Sequence, residues 1–237
     1  MISAPDPAAD EGPLDRRFRP PLHGALALGR ARLRATSAGR LGIVAAVAVS
    51  VLYGGIIVTL RVEDGPNASF GGTLRTAAGA LAWAAAGPMA LAAARDRAAA
   101  DRRDGIEALA AARGLHGASL DGVRALAAML EVTSIIALPA AVLALTSALL
   151  AGALGPGLRL LAISLALTTF ASVCGVTLGG LAAASSRAAG PRGRTLFAAL
   201  ILVPWALADL AGHAAWSIPG ALDAFLTFAV ALAGGSS

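Results

Sequence analysis

Residues 41–60 (LGIVAAVAVSVLYGGIIVTL) carry no charged side chain, and about twenty apolar residues are what an α-helix needs to cross the ~30 Å hydrocarbon core of a bilayer. A segment of this kind admits few folds. In lipid each backbone N–H and C=O must find its partner within the protein, so the chain is restricted to helices or a closed barrel. Five further windows repeat the helical choice, at about 76–94, 132–152, 160–184, 195–210 (extendable to His213) and 218–234. Gly87-Pro88 predicts a kink in the second window. The last two windows are shorter, and Asp209 and Asp223 interrupt them. The expected fold class is therefore all-α: a polytopic membrane protein with six transmembrane helices over 41–237.

Composition agrees with this and removes several functions. Hydrophobic residues make up 57% of the 237 and charged residues 14%, with mean hydropathy +0.73, against near-half apolar and a quarter charged in soluble domains. All 19 basic residues are Arg; there is no Lys. A phosphate-binding loop needs a Lys on the β/γ-phosphates, and Schiff-base chemistry needs a Lys amine, so neither belongs to this chain. A single Cys (Cys174) and three His exclude a zinc site of the usual spacings and a disulfide framework. The arginines lie between apolar stretches without interleaved aromatics, which argues against nucleic acid as a partner.

Their placement sets topology instead, because Arg-rich short loops stay cytoplasmic. With both termini inside, the inner segments hold Arg16, Arg17, Arg19, Arg30, Arg32, Arg34 and Arg40, then Arg95, Arg97, Arg102, Arg103, Arg113 and Arg124, then Arg187, Arg192 and Arg194; the outer segments hold only Arg61, Arg75 and Arg159. Sixteen against three is a consistent bias. Residues 1–40 form a cytoplasmic segment, disordered at its acidic, Pro-containing start. The first long apolar run begins too late for a secretory signal. Over 22–34, Leu22, Leu26, Ala27 and Leu33 can share one helical face with Arg30, Arg32 and Arg34 at its edges, which predicts an amphipathic interfacial helix on an anionic leaflet; a solvated basic linker is the alternative.

The helices contain as much Ala, Gly, Ser and Thr as Leu, with 61 Ala in all. Small residues let helix backbones approach closely in lipid, and Gly175-xxx-Gly179 has that spacing. The stretch between windows two and three, ARDRAAADRRDGIEALAAARGLHGASLDGVRALAAMLE (94–131), is more organised than a loop. Gly105 permits a break, and a short helix follows with Ile106, Leu109 and Ala110 on one face and Asp104, Glu107 and Arg113 around it. Gly114 and Gly117 end it. Ser119 is the expected N-cap of a third helix whose stripe of Leu120, Val123, Leu126, Ala127 and Leu130 leads back into the membrane. A short helix held out between two membrane-connected helices suits a groove on a cytoplasmic partner; a loop folded back on the membrane surface is the bland alternative.

The segment DRRDGIEALAAARG (101–114), with the return helix SLDGVRALAAMLE (119–131), resembles the cytoplasmic loop of ABC-2-type exporter permeases. The six-span plan, the basic lead-in and the missing ATPase motif match as well, and the resemblance covers roughly 20–235. Within that family, GALAWAAAGPMALAAARDRAAADRRDGIEAL (79–109) and the Pro204-containing fifth window are similar to the haem-exporter-like permeases of cytochrome c maturation; the poverty in aromatics and the N-terminal extension depart from them. The resemblance implies a non-catalytic permease of the bacterial inner membrane, working as a dimer with a second copy or paralogue. No cofactor would be bound by this chain, and ATP and Mg would sit on a separate cytoplasmic ABC ATPase. It also implies that Arg103, Asp104, Gly105, Ile106, Glu107, Leu109 and Arg113 form an ATPase-coupling loop, with Gly105 as the turn, Ile106 and Leu109 as apolar knobs, and Glu107 with Arg103 or Arg113 as polar contacts.

Two other classes remain open at this stage. A membrane scaffold or assembly subunit predicts the same composition and differs only in whether the 104–113 loop binds an ATPase. A gradient-driven carrier should show ionisable residues at mid-membrane, and windows one to four have none. Asp209, His213 and Asp223 are the residues that could line a substrate or proton path, since an intramembrane carboxylate suggests function; their position near the outer helix ends equally suits solvated side chains. Glu131 is read as interfacial, facing an Arg.

Overall fold

The computed structural model describes residues 22–65, 68–95, 97–112, 114–115, 117–151 and 154–233. The segment 1–21, with its expected disordered start, and Arg113 lie outside the described residues. Among the described residues every regular element is helical, with no strand. In order these are α1 (Leu22–Ala35), α2 (Ser37–Asp64), α3 (Gly71–Ala80), α4 (Ala86–Ala93), α5 (Arg97–Arg103), α6 (Ile106–Ala111), α7 (Gly117–Ala151), α8 (Leu154–Cys174), α9 (Gly180–Ala189), α10 (Gly193–Leu210) and α11 (Ile218–Leu232). A π-helical turn at Leu81–Ala85 joins α3 to α4, and a second at Gly175–Gly179 joins α8 to α9.

Four helices are long and apolar enough to cross a membrane: Ser37–Asp64, Gly71–Ala93, Gly117–Ala151 and Leu158–Leu210, with Ile218–Leu232 apolar but shorter. The apolar windows predict six separate spans, and the difference arises mainly in the last long run. Its 53 residues would make a rod of about 80 Å at 1.5 Å per residue, but the 3₁₀ turn Gly190–Arg192 divides it, and α9 and α10 pack against each other on either side of that turn. A second difference concerns α7. The sequence puts the N-cap of the return helix at Ser119; the helix instead begins at Gly117, with Ser119 inside its first turn, and runs unbroken through the third window to Ala151. Between Val123 and Leu138 there is neither Gly nor Pro, so nothing in the backbone interrupts helix propagation.

Ahead of Gly87-Pro88, where the sequence predicts a kink, the helix takes a π-helical turn at Leu81–Ala85. Pro88 has no N–H for the carbonyl four residues back, and its ring crowds that carbonyl; a locally widened turn relieves both. Pro139 and Pro204 lie inside α7 and α10. Pro219 occupies the first turn of α11, where the missing N–H is harmless, and Ser217 caps that helix by accepting a hydrogen bond from the Gly220 N–H at 3.1 Å.

The α3–α4 helix is the centre of the molecule: 56% of its apolar window is buried, against 17% for α2. Its buried face is mostly Ala (77, 78, 82, 85, 86, 90, 92 and 93), with Leu74, Leu81 and Met89 filling the gaps. Side chains this small bring backbones together, which is how helices gain contact area where lipid removes the hydrophobic drive. Gly175 and Gly179 do the same against α7. A Cβ on Gly175 would collide with Thr133 Oγ1 and lie 2.7 Å from the Met129 carbonyl, and one on Gly179 would lie 2.8 Å from Met129 Cα.

Overpacking at backbone contacts costs about 1–3 kcal/mol or more, so Gly175→Val and Gly179→Val are expected to lower the melting temperature of the detergent-purified protein. Gly155→Ala, where an added Cβ meets open space, should leave it within about 0.5 kcal/mol of wild type. Equal melting of all three variants would refute close α7–α8–α9 packing.

Candidate functional site

The two ends of the helical assembly differ in chemistry. At one end α1, α5, α7 and α9 are joined by a run of charge pairs in two sets, one on Glu131 and one on Asp101, Asp104 and Asp121; toward the other, Arg75 reaches Asp223 at 3.9 Å. The run begins on α7, where Arg124, Ala127 and Glu131 are spaced three and four residues apart and so share a face. Gly29 of α1 lies against Ala127, with an added Cβ only 3.0 Å from the alanine Cβ. That close approach sets Arg30 and Arg34, one turn apart on α1, over Glu131.

Glu131 is 2% exposed and accepts from both. Arg30 Nε donates to Oε2 at 2.7 Å, Arg34 Nε donates to Oε1, and Arg34 Nη2 donates to Oε2 at 3.2 Å. Arg30 Nη2 also donates to Ser134 Oγ at 3.2 Å. The hydrogen bond to Glu131 is the main reason the Arg34 guanidinium holds its proton more tightly than a free arginine, against a smaller opposing effect of desolvation. Arg32, pointing the other way, donates to Asp101 on α5 and to Asp104 at the α5–α6 turn. Asp101 in turn accepts from Arg124 Nε at 2.9 Å, and Arg124 Nη1 donates to Asp121 at 2.8 Å. Arg187 of α9 stands 3.9 Å from Asp121.

Arg97, in the first turn of α5, lies inside this cluster. Its Nη2 donates to the Gly29 carbonyl at 2.9 Å, while Nη1 is buried with no hydrogen-bond partner among the described residues. Desolvation pushes its pKa down to about 10; Asp101 opposes the shift, and Arg124 and Arg32 add to it. The guanidinium therefore stays charged at neutral pH in a setting short of counter-charge.

Gly105 is left-handed at φ 72°, a conformation only Gly takes freely, and there the chain turns from α5 into α6. The short helix leans on α1 and α7 across a groove of about 230 Å³, lined by Leu28, Ile106, Leu109, Ala110, Leu120 and Val123 among others. Ile106 is partly buried in it, and Leu109 is 59% exposed. The two apolar positions are thus unequal. Glu107 keeps Oε2 buried, without a hydrogen-bond partner among the described residues. Arg103 is exposed, its Nε donating to the Ala99 carbonyl at 3.4 Å.

Arg30, Arg32 and Arg34, read from the sequence as leaflet-facing, are held by carboxylates of α5, α7 and the turn after α5. Asp101 and Arg124, which carry the pairing, and Arg97, which lies among them, are not singled out by the sequence reading. The signal for Glu131 was available: an isolated carboxylate in a long apolar helix has to be paired, and Arg30 with Arg34 offers two guanidinium groups one turn apart. Asp209, His213 and Asp223 are not brought together. All three are exposed, His213 lies against Trp216 with ring centroids 4.4 Å apart, and no hydrogen bond or ion pair among the described residues joins any two of them. Among the described residues no group of three His, Cys, Asp or Glu could hold a metal ion. Comparison with family models, curated proteins and solved structures gives no match.

Stripping one side of a buried ion pair leaves an uncompensated charge and costs about 3–5 kcal/mol, whereas replacing the whole set is far milder. Arg30→Gln with Arg34→Gln should therefore sharply reduce the folded fraction in detergent, and adding Glu131→Gln should recover most of it, measured as a thermal cycle. Wild-type melting of the double variant would show that α1 is not held by Glu131.

Proposed function

We propose that this chain is the membrane-spanning permease subunit of an ABC exporter of the ABC-2 type, moving substrate by alternating access driven by a separate cytoplasmic ATPase. Six spans are assigned to α2, α3–α4, α7, α8–α9, α10 and α11, with the α1–α5–α7–α9 charge network at the cytoplasmic end. The observation that carries this reading is the α5–Gly105–α6 element, suspended between two long helices and tied by charge pairs to α1 and α7 instead of hanging as a free loop.

Such an element can act as a lever. At 35 residues, α7 is about 52 Å long and outreaches a ~30 Å hydrocarbon core, so its first turns stand in the aqueous phase with α6. A push on α6 passes through the Asp104–Arg32 and Asp101–Arg124 pairs to α1 and α7 together. Within the coupling loop, Leu109 is the knob presented to the ATPase and Arg103 the accessible cation, while Ile106 seats α6 on its own protein. The exposed apolar side of α2, with Val44, Val47, Val51 and Val62, faces lipid or the second permease copy. ATP and Mg belong to the partner ATPase.

Leu109→Asp is expected to insert and fold normally yet reduce stimulation of the co-purifying ATPase by roughly tenfold, the size of one lost interface anchor. Wild-type stimulation would refute the coupling assignment, and failure of any ATPase to co-purify, even after crosslinking through α6, would favour the scaffold. The topology has its own test. Cys174 is the one cysteine, so in a Cys174→Ala background Ser69→Cys and Ala214→Cys should label from outside the cell, and Ala111→Cys and Ala188→Cys only after permeabilisation. Uniform labelling from one side would break the six-span assignment.

A further inference from the structure

Between the start of α5, the first turns of α7, α9 and the Gly190–Pro191 turn lies a cavity of about 540 Å³, within the size range of small-molecule sites. Four arginines line it, Arg97, Arg102, Arg124 and Arg187, together with a single acid, Asp121. The charges do not balance internally. Asp121 is engaged by Arg124 at 2.8 Å, and Arg187 reaches it only at 3.9 Å. Asp101, the acid beside Arg97, is already held by Arg32 and Arg124. Arg102 makes no ion pair among the described residues. Arg97 has the buried, unpartnered Nη1 described above.

A buried guanidinium nitrogen left without an acceptor costs more than an ordinary lost hydrogen bond, and a folded protein rarely keeps one unless something else completes it. The remaining lining suits a ligand: Ala125, Gly180 and Ala183 leave room, and Ser186 stands at the rim, its hydroxyl donating to the Arg95 carbonyl at 2.7 Å. Arginine forks match the tetrahedral oxygens of a phosphate, and basic pockets between membrane helices on the cytoplasmic side hold anionic lipid headgroups.

We propose that this cavity binds a phosphate-bearing anion, supplied either by an anionic phospholipid headgroup or by a free phosphate, with Arg97 and Arg102 as its principal ligands and Arg187 at the entrance. The lipid source rests on the membrane placement in the preceding section, since it requires this end to meet the inner leaflet; the ATPase has no part in it.

The test uses the full chain, purified in detergent and stripped of lipid, with phosphatidylglycerol, phosphatidylcholine and inorganic phosphate as separate probes. Native mass spectrometry should show phosphatidylglycerol bound at least about tenfold more tightly than phosphatidylcholine, with that preference lost in Arg102→Gln and in Arg97→Gln and kept in Arg192→Gln, an exposed arginine outside the cavity. If phosphate is the ligand, millimolar phosphate should raise the melting temperature above chloride at matched ionic strength, and Arg102→Gln should abolish the increment. Arg102 is exposed, so its variant decides the matter even if Arg97→Gln does not fold. Wild type and Arg102→Gln behaving alike toward both probes would overturn the proposal. Because the cysteine labelling reports membrane placement independently, a failed cavity and a failed topology give different results.

Discussion

Glu131 sits in a helix whose neighbours are almost all apolar, and a carboxylate in that position cannot remain unpaired. It draws Arg30 and Arg34 onto itself, and with them the whole of α1. Once α1 lies against α7, Arg32 is within reach of Asp101 and Asp104, and the Gly29 carbonyl within reach of Arg97. The arrangement of α5 and α6 at the charged end therefore depends on α1, held by this one buried acid, together with the direct Asp101–Arg124 pair to α7. The turn between α1 and α2 supports it: Thr36 accepts from the Gly39 N–H at 2.9 Å and donates to the Leu33 carbonyl at 2.7 Å, which fixes the angle at which α1 leaves the long helix.

The apolar part is organised by a different constraint. The central α3–α4 helix presents a nearly all-Ala face, and α7 receives Gly175 and Gly179 at Met129 and Thr133, within a turn of Glu131. Both π-helical turns occur in this closely packed region. A π turn widens the helix by one residue and is often found where a helix must bend or carry function. Here one lies ahead of Pro88 and the other within the Gly175–Gly179 contact. The charge network thus sits on α7, and the places where the backbone is already adjusted lie in the two helices beside it.

The same network explains why Arg97 is left over. Asp101, Asp104, Asp121 and Glu131 are each engaged by one or two other arginines, so Arg97, the most deeply placed guanidinium among them, has the Gly29 carbonyl for Nη2 and, among the described residues, no partner for Nη1. The local excess of positive charge follows from the sequence, which concentrates arginine in the segments between the apolar runs.

Hydrophobic length and the scarcity of charge made the helical, membrane-compatible character legible from the sequence alone, because backbone groups in lipid have no other solution. The break at Gly105 and the close-packing role of Gly175 and Gly179 were legible too, since each depends on local backbone geometry or on the absence of a side chain. The pairing of α1 with α5 and α7 was not legible. Arg30 and Glu131 are 101 residues apart, and the period of the basic helix fits a lipid surface as well as it fits a protein partner. The unbroken length of α7, the inequality of Ile106 and Leu109, and the cavity around Arg97 also had to await the packed structure. Sequence fixes which groups must be satisfied, but which neighbour satisfies them depends on the three-dimensional arrangement of helices that local pattern does not encode.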